Sequence, residues 1–158
     1  MSKKVVYELL KDGVIIVFDV DGVLAPYEWG DRKHCLSDKK WTKMLENGED
    51  MYSHIQPVKT LQNFIKSKNI NEVYVCSKAE KAELKSKMDF CTREYGIKKD
   101  HIKCVQHKTD KMLFLDELAK KLSIPQNNIV LVEDTIETLD KIAQSREYFT
   151  VHVSSFME

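Results

Sequence analysis

The chain has 158 residues, 42% of them hydrophobic, which suits one soluble globular domain with a core of its own. Lys plus Arg and Asp plus Glu balance at 25 each, so no global field draws in nucleic acid or an anionic membrane. No apolar run is long enough to span a bilayer, and Met1 to Tyr7 lacks the features of a signal peptide, so a cytoplasmic protein is expected.

Lys3 to Gly13 reads as a mixed segment with a turn at Lys11-Asp12-Gly13, padding one edge of the fold. Val14 to Leu24 follows, an apolar run broken by Asp19, Asp21 and Gly22. Unalternated β-branched and aromatic residues predict a strand buried on both faces, with the two aspartates at its carboxyl end. In an open α/β sheet ligands sit at that edge. Spacing of two sends both carboxylates toward one space, and Gly22 lets the backbone turn beside them. Carboxylates so paired repel unless a cation lies between them or one keeps its proton, which makes a metal site or an acid/base pair. The plainer alternative is a pair of solvated residues closing a strand.

Between Ala25 and Gln56 the periodicity breaks down. Tyr27, Trp29 and Trp41 either line a substrate entrance or pack this insertion onto the core, and Ser37 or Asp38 caps a short helix. Pro57 opens a helix over Val58 to Lys66 with Val58, Leu61, Phe64 and Ile65 inward, and Glu72 to Cys76 is a second buried strand ending in Ser77-Lys78. Ser77 there is either a phosphate ligand or a helix cap. A helix from Ala79 to about Tyr95 should carry Leu84, Met88 and Cys91 inward and its Lys/Glu charges outward, stopping at Gly96.

His101 to Val105 is a short third strand, and His101 and His107 read as surface or loop residues, no second ligand standing at helix or zinc spacing. A loop through Lys108 and Lys111 enters an amphipathic helix. Asn128 to Val132 is a fourth strand ending in Glu133-Asp134, a helix runs from Ile136 to about Ser145, and Tyr148 to Val153 is a fifth strand. Cys35, Cys76, Cys91 and Cys104 show neither CxxC spacing nor the density of a disulfide scaffold, and Cys76 and Cys104 read as buried thiols. Strand-helix alternation predicts a mainly parallel, doubly wound α/β sheet with helices on both faces.

Phe18-Asp19-Val20-Asp21-Gly22-Val23-Leu24 resembles the first motif of the haloacid dehalogenase superfamily of phosphohydrolases, hhhDxDGT/V. The resemblance runs in order across nearly the whole chain: Ser77 matches the second motif, Lys111 or Lys108 the third, and Glu133-Asp134 the fourth. It implies a three-layer Rossmann-like fold with the first strand central. Residues 1–158 would form one hydrolase domain, nearly capless, with 25–56 as a short flap or minimal cap.

It further implies a magnesium-dependent phosphatase acting through an aspartyl-phosphate. Asp19 would be the nucleophile, Asp21 the acid and then the base, and Lys111, favoured over Lys108 by its Thr-Asp-Lys context, the neutralising charge. Ser77, Lys108 and Gly22 would hold the substrate. Mg2+ would lie among Asp19, the Asp21 backbone carbonyl and Asp134, with Glu133 binding directly or through water. Many relatives carry an acid or Asn four residues after the last Asp, where this chain has Thr138, so its outer metal shell differs. The substrate, a phosphorylated small molecule or macromolecule, is not readable from the sequence, and homo-oligomerisation stays open. A non-catalytic phosphate-binding or scaffold protein, and a phosphomutase, are the alternatives.

Overall fold

The computed structural model describes residues 2–26 and 36–157. The expectations for Tyr27, Trp29 and Cys35 lie outside these residues. Five strands, β1 (Ile15–Phe18), β2 (Val73–Lys78), β3 (Ile102–Val105), β4 (Ile129–Glu133) and β5 (Phe149–His152), form one sheet in the order β3-β2-β1-β4-β5. Every pairing is parallel, and β1 is central, with Ile16 opposite Val73 on one side and Val130 on the other. Helix α1 (Ser2–Leu9) precedes β1; parallel neighbours need crossovers, and the helices α2 (Asp38–Glu46), α3 (Lys59–Ser67), α4 (Leu84–Tyr95), α5 (Asp110–Leu122) and α6 (Ile136–Ser145) lie in the connecting segments.

Alternation along each strand divides the core between the two faces. Ile16, Phe18, Val73, Val75, Val130 and Val132 pack with Leu61, Phe64 and Ile65 of α3 and Phe90, Cys91 and Tyr95 of α4. Ile15, Val17, Tyr74, Cys76, Ile129 and Leu131 pack with Leu115 and Leu118 of α5 and Leu139 and Ile142 of α6. Residues that alternate in the sequence therefore serve opposite layers, and both layers must be apolar, hence the unalternated runs. Each large side chain fully buried here contributes roughly 1.5–3 kcal/mol. Three layers, helix-sheet-helix, result, as the strand-helix alternation predicts.

Three local expectations need correcting. Lys3 to Gly13 is largely α1, which packs Leu9 into the α3/α4 face of the core. Ser77 does not cap a helix, because β2 runs through it to Lys78 and a 3-10 turn at Lys81–Glu83 precedes α4. The buried stripe of α4 is also rotated from the predicted one: Lys87, Phe90, Cys91 and Tyr95 are buried, continuing from Glu83, whereas Leu84 and Met88 are half-buried. Packing of the aromatic residues fixes that rotation and carries two charged residues inward. Gly96 stops the helix with φ of 68°, a conformation that favours glycine. Among the described residues no helix is long and apolar enough to cross a membrane.

Candidate active site

All the site residues named from the sequence come from the carboxyl edge of the sheet or from the loops and the first turn of α5 just beyond it, because in a parallel sheet all strands end on one side. Asp19 follows β1 directly, and its N–H donates to the Val132 carbonyl at 3.0 Å, carrying the β1/β4 pairing one residue past the strand. The chain then turns: Gly22 adopts φ of 76°, its N–H donates to the Ala25 carbonyl at 2.8 Å, and Ala25 N–H returns to the Val20 carbonyl at 2.9 Å. Gly22 thus spends its amide inside the turn and is not among the residues lining the cleft. Asp19 and Asp21 both face that cleft.

Around Asp19 the partners come from α5 and β4. Lys111, in the first turn of α5 and 1% exposed, places Nζ 3.1 Å from Asp19 Oδ2 and 2.5 Å from Glu133 Oε2. Glu133 Oε1 accepts from the backbone N–H groups of Asp134 (3.1 Å) and Thr135 (3.3 Å), so each of its oxygens has a partner that fixes the carboxylate in place. His152, at the end of β5, accepts from Ser154 N–H at Nδ1 and turns Nε2 to the Asp134 carbonyl at 3.1 Å, fixing the strand end. Burial pushes the Asp19 carboxyl above the usual carboxylate range; Lys111 opposes this and Glu133 reinforces it. For Lys111 burial favours the neutral amine, but Asp19 and Glu133 outweigh it and hold the ammonium above the ordinary lysine range.

Among the described residues Asp19 Oδ1, which is buried, has no hydrogen-bond partner. Oxygens of Asp19, Glu133 and Asp134 lie within 4.8 Å of one another. An all-oxygen, net anionic donor set with one unpartnered carboxylate oxygen fits a hard divalent cation. Asp21's carboxylate is outside that group. Ser77, 1% exposed at the end of β2, lines the cleft between the two aspartates' partner sets, and its Oγ lies 3.5 Å from Lys87 Nζ. Of the two candidate lysines, Lys111 contacts Asp19, while Lys108 is exposed on the cleft wall.

Around Asp21 the partners are ones that the sequence reading left out. Lys87 of α4, read there as solvated surface, is fully buried, and its Nζ lies 2.8 Å from Asp21 Oδ2, 3.2 Å from Glu83 Oε1 and 2.6 Å from the Lys78 carbonyl. Tyr52, also fully buried, donates its hydroxyl to Asp21 Oδ1 at 2.6 Å. Glu83 is 5% exposed and takes Trp41 Nε1–H on Oε2 at 3.0 Å. Trp41 packs edge-on to Tyr52, with ring centroids 6.1 Å apart. Trp41 therefore both packs the insertion and lines the cleft. Burial disfavours the charge on Lys87, yet Asp21 and Glu83 outweigh it and hold its pKa above the ordinary lysine range. Burial, then Asp21 and Glu83, push the Tyr52 hydroxyl far up, so it stays a donor. A signal for Lys87 was present: counting back from Phe90 and Cys91 at helical spacing reaches Lys87 and then Glu83, an i, i+4 pair on the inward face.

The cleft has a volume of about 910 Å³. Its floor is the two aspartates, Lys111 and Ser77, and its outer walls are Leu36, Trp41 and Leu45 from the insertion, Lys78 at the end of β2, and Glu80, Lys81, Ala82 and Glu83 beyond it.

No protein-family model matches the sequence, and no curated protein matches it. Solved structures do resemble it in fold. A haloacid dehalogenase-like family hydrolase from Xanthomonas campestris superposes with a TM-score of 0.59 at 9% identity, over 87% of this chain and 81% of that one. A family IA, variant 3 hydrolase of the same superfamily from Entamoeba histolytica gives 0.61 at 16% identity, over 91% and 85%. The N-terminal part of a Bacteroides fragilis protein containing a phosphatase domain, solved in complex with Mg, gives 0.57 at 15% identity, over 94% of this chain and 39% of that one. At these identities it is the fold that is shared, and the chain has the fold of the haloacid dehalogenase-like hydrolases.

Proposed function

We propose that this chain is a phosphatase that hydrolyses a phosphate monoester, with Asp19 as nucleophile and Mg2+ as cofactor. One observation carries the reading: the buried Asp19 carboxylate keeps one oxygen unpartnered while its other oxygen meets Lys111, at the floor of a cleft. In the first step an Asp19 oxygen bonds to phosphorus, the bond from phosphorus to the ester oxygen breaks, and Asp21 gives that oxygen a proton. In the second, water attacks the aspartyl-phosphate at phosphorus and passes its proton to Asp21. Phosphate leaves and Asp19 is restored. Lys111 offsets charge on the phosphoryl oxygens while staying anchored to Glu133, and Ser77 donates its hydroxyl to one of them. Asp19, Asp134 and Glu133 would hold the cation, which when bound supplies positive charge against the phosphoryl oxygens. The Mg in the Bacteroides phosphatase-domain structure supports trying Mg2+ first. Residues 1–158 act as one domain, with 25–56 as a minimal cap over the cleft, and Lys108 meets the substrate at the rim.

Phosphate release from a panel of aryl, sugar and nucleotide monoesters, with Mg2+ or with EDTA, tests this. The native chain should turn over at least one ester only with Mg2+, and Asp19→Asn should lose on the order of 10⁴-fold or more in kcat. An inert native chain, or an Asp19→Asn variant as active as the native one, overturns the reading.

A further inference from the structure

Asp21 stands on a loop that leaves β1, and a carboxylate on a loop is free to rotate unless something holds it. Here each of its oxygens is held from a different direction. Oδ2 meets the Lys87 ammonium at 2.8 Å, from α4, and Oδ1 meets the Tyr52 hydroxyl at 2.6 Å, from the 25–56 insertion. Both groups are fully buried, whereas the Asp21 side chain is 30% exposed and faces the cleft. Putting a lysine charge out of water is costly unless it is surrounded by acceptors, and Lys87 is surrounded: besides Asp21 it has the Lys78 carbonyl, Glu83 and, at 3.5 Å, Ser77 Oγ. A packing role would be met by methionine or leucine at that position. An ammonium there is spent on polar groups, one of them facing the cleft.

We propose that Lys87 and Tyr52 are positioning residues that orient the Asp21 carboxyl toward the leaving group, so that the insertion and α4 complete the acid/base half of the site. The proposal rests on the phosphatase reading. It assigns the insertion a second task besides walling the cleft: Tyr52 reaches Asp21 directly, and Trp41, through Glu83, braces Lys87. A misplaced proton donor harms the reaction most when the departing oxygen needs a proton most. An ester whose leaving group is already a stable anion needs little help.

The test uses Tyr52→Phe, which removes one oxygen and no packing, and Lys87→Met, each measured for kcat/KM on p-nitrophenyl phosphate and on phenyl phosphate with Mg2+. This ratio reports phosphoryl transfer to Asp19, the step in which the leaving group departs. Tyr52→Phe should lower kcat/KM on phenyl phosphate about tenfold and on p-nitrophenyl phosphate about twofold, and Lys87→Met should show the same bias more strongly. In an Asp21→Asn background neither change should cost more than about twofold, since the group they act through is gone. Equal losses on both esters, or undiminished losses in the Asp21→Asn background, overturn the proposal and leave the phosphatase reading standing. An inert native chain overturns both. Should Lys87→Met fail to fold, by thermal melt, Tyr52→Phe decides alone.

Discussion

Asp19 and Asp21 leave the same strand end two residues apart, yet different parts of the molecule serve them. Asp19 is surrounded by groups from α5 and the end of β4, the elements that a parallel sheet brings to its central strand in any case, and one of its oxygens stays unpartnered. Asp21 is surrounded by groups from α4 and the 25–56 insertion, and both its oxygens are held. An unpartnered buried oxygen is open to an electrophile or a cation, and a carboxylate held at both oxygens is kept in one orientation. The surroundings of Asp19 thus come from the neighbouring strand β4 and the crossover helix α5, and those of Asp21 from the crossover helix α4 together with the insertion.

If that division is real, damage to the two halves should differ in kind. The largest effect is expected from Lys111→Met, which removes the cation beside Asp19 and leaves Glu133 buried without its partner: kcat should fall by on the order of 10³-fold, and a thermal melt should show lost stability as well. Next comes the response to metal. Mg2+ at about a hundred times its dissociation constant should raise native stability by about 2.7 kcal/mol. Asp134→Asn should abolish that gain in calorimetry, whereas Tyr52→Phe should keep it; a loss in both would merge the two halves. A smaller effect is expected for Trp41→Phe, which breaks the bond to Glu83 and should cost about 1 kcal/mol of stability with a few-fold loss of activity.

The smallest change lies away from the site. Asp116 pairs with Arg146 at 3.0 Å and accepts from Tyr148 at 2.7 Å. Burial alone would raise its carboxyl, but the Arg146 guanidinium and Tyr148 hydroxyl outweigh this and hold it below the usual range. A depressed folded-state pKa contributes stability above about pH 4 and loses it as pH falls further. Asp116→Asn should therefore remove about 1 kcal/mol or less at neutral pH, flatten the acid side of the stability curve, and leave turnover unchanged.

The half around Asp19 was legible in the sequence because its signals are local: an apolar run that stops in acids, twice, and a lysine at a helix start. The parallel, doubly wound sheet followed from the alternation of strands and helices, and the central place of β1 from the family resemblance. The half around Asp21 was harder to read, because the spacing of Glu83, Lys87, Phe90 and Cys91 marks one inward face for α4 and that of Leu84, Met88 and Cys91 another, and the packing of Phe90 and Tyr95 on a sheet formed by distant residues decides between them. Tyr52 was hidden for another reason. The insertion has no periodicity, and a tyrosine in irregular chain carries no sign of which carboxylate it meets. The helix over Ser2–Leu9 was missed because so short a segment is helical through its contacts, among them the turn at Val153–Phe156, more than through its own propensity.

The register of the central strand has a consequence for how the protein reaches its working state. Ile15 pairs with Ile129 and Phe18 with Val132, so β1 waits for β4 across most of the chain. Pairings that distant close late, since the entropy of a long loop is lost before the contacts reward it. Asp19 meets Glu133 and Asp134 only through that pairing. A nascent or partly folded chain would hold Asp19 and Asp134 apart, so affinity for the proposed Mg2+ should return during refolding only with the last cooperative phase.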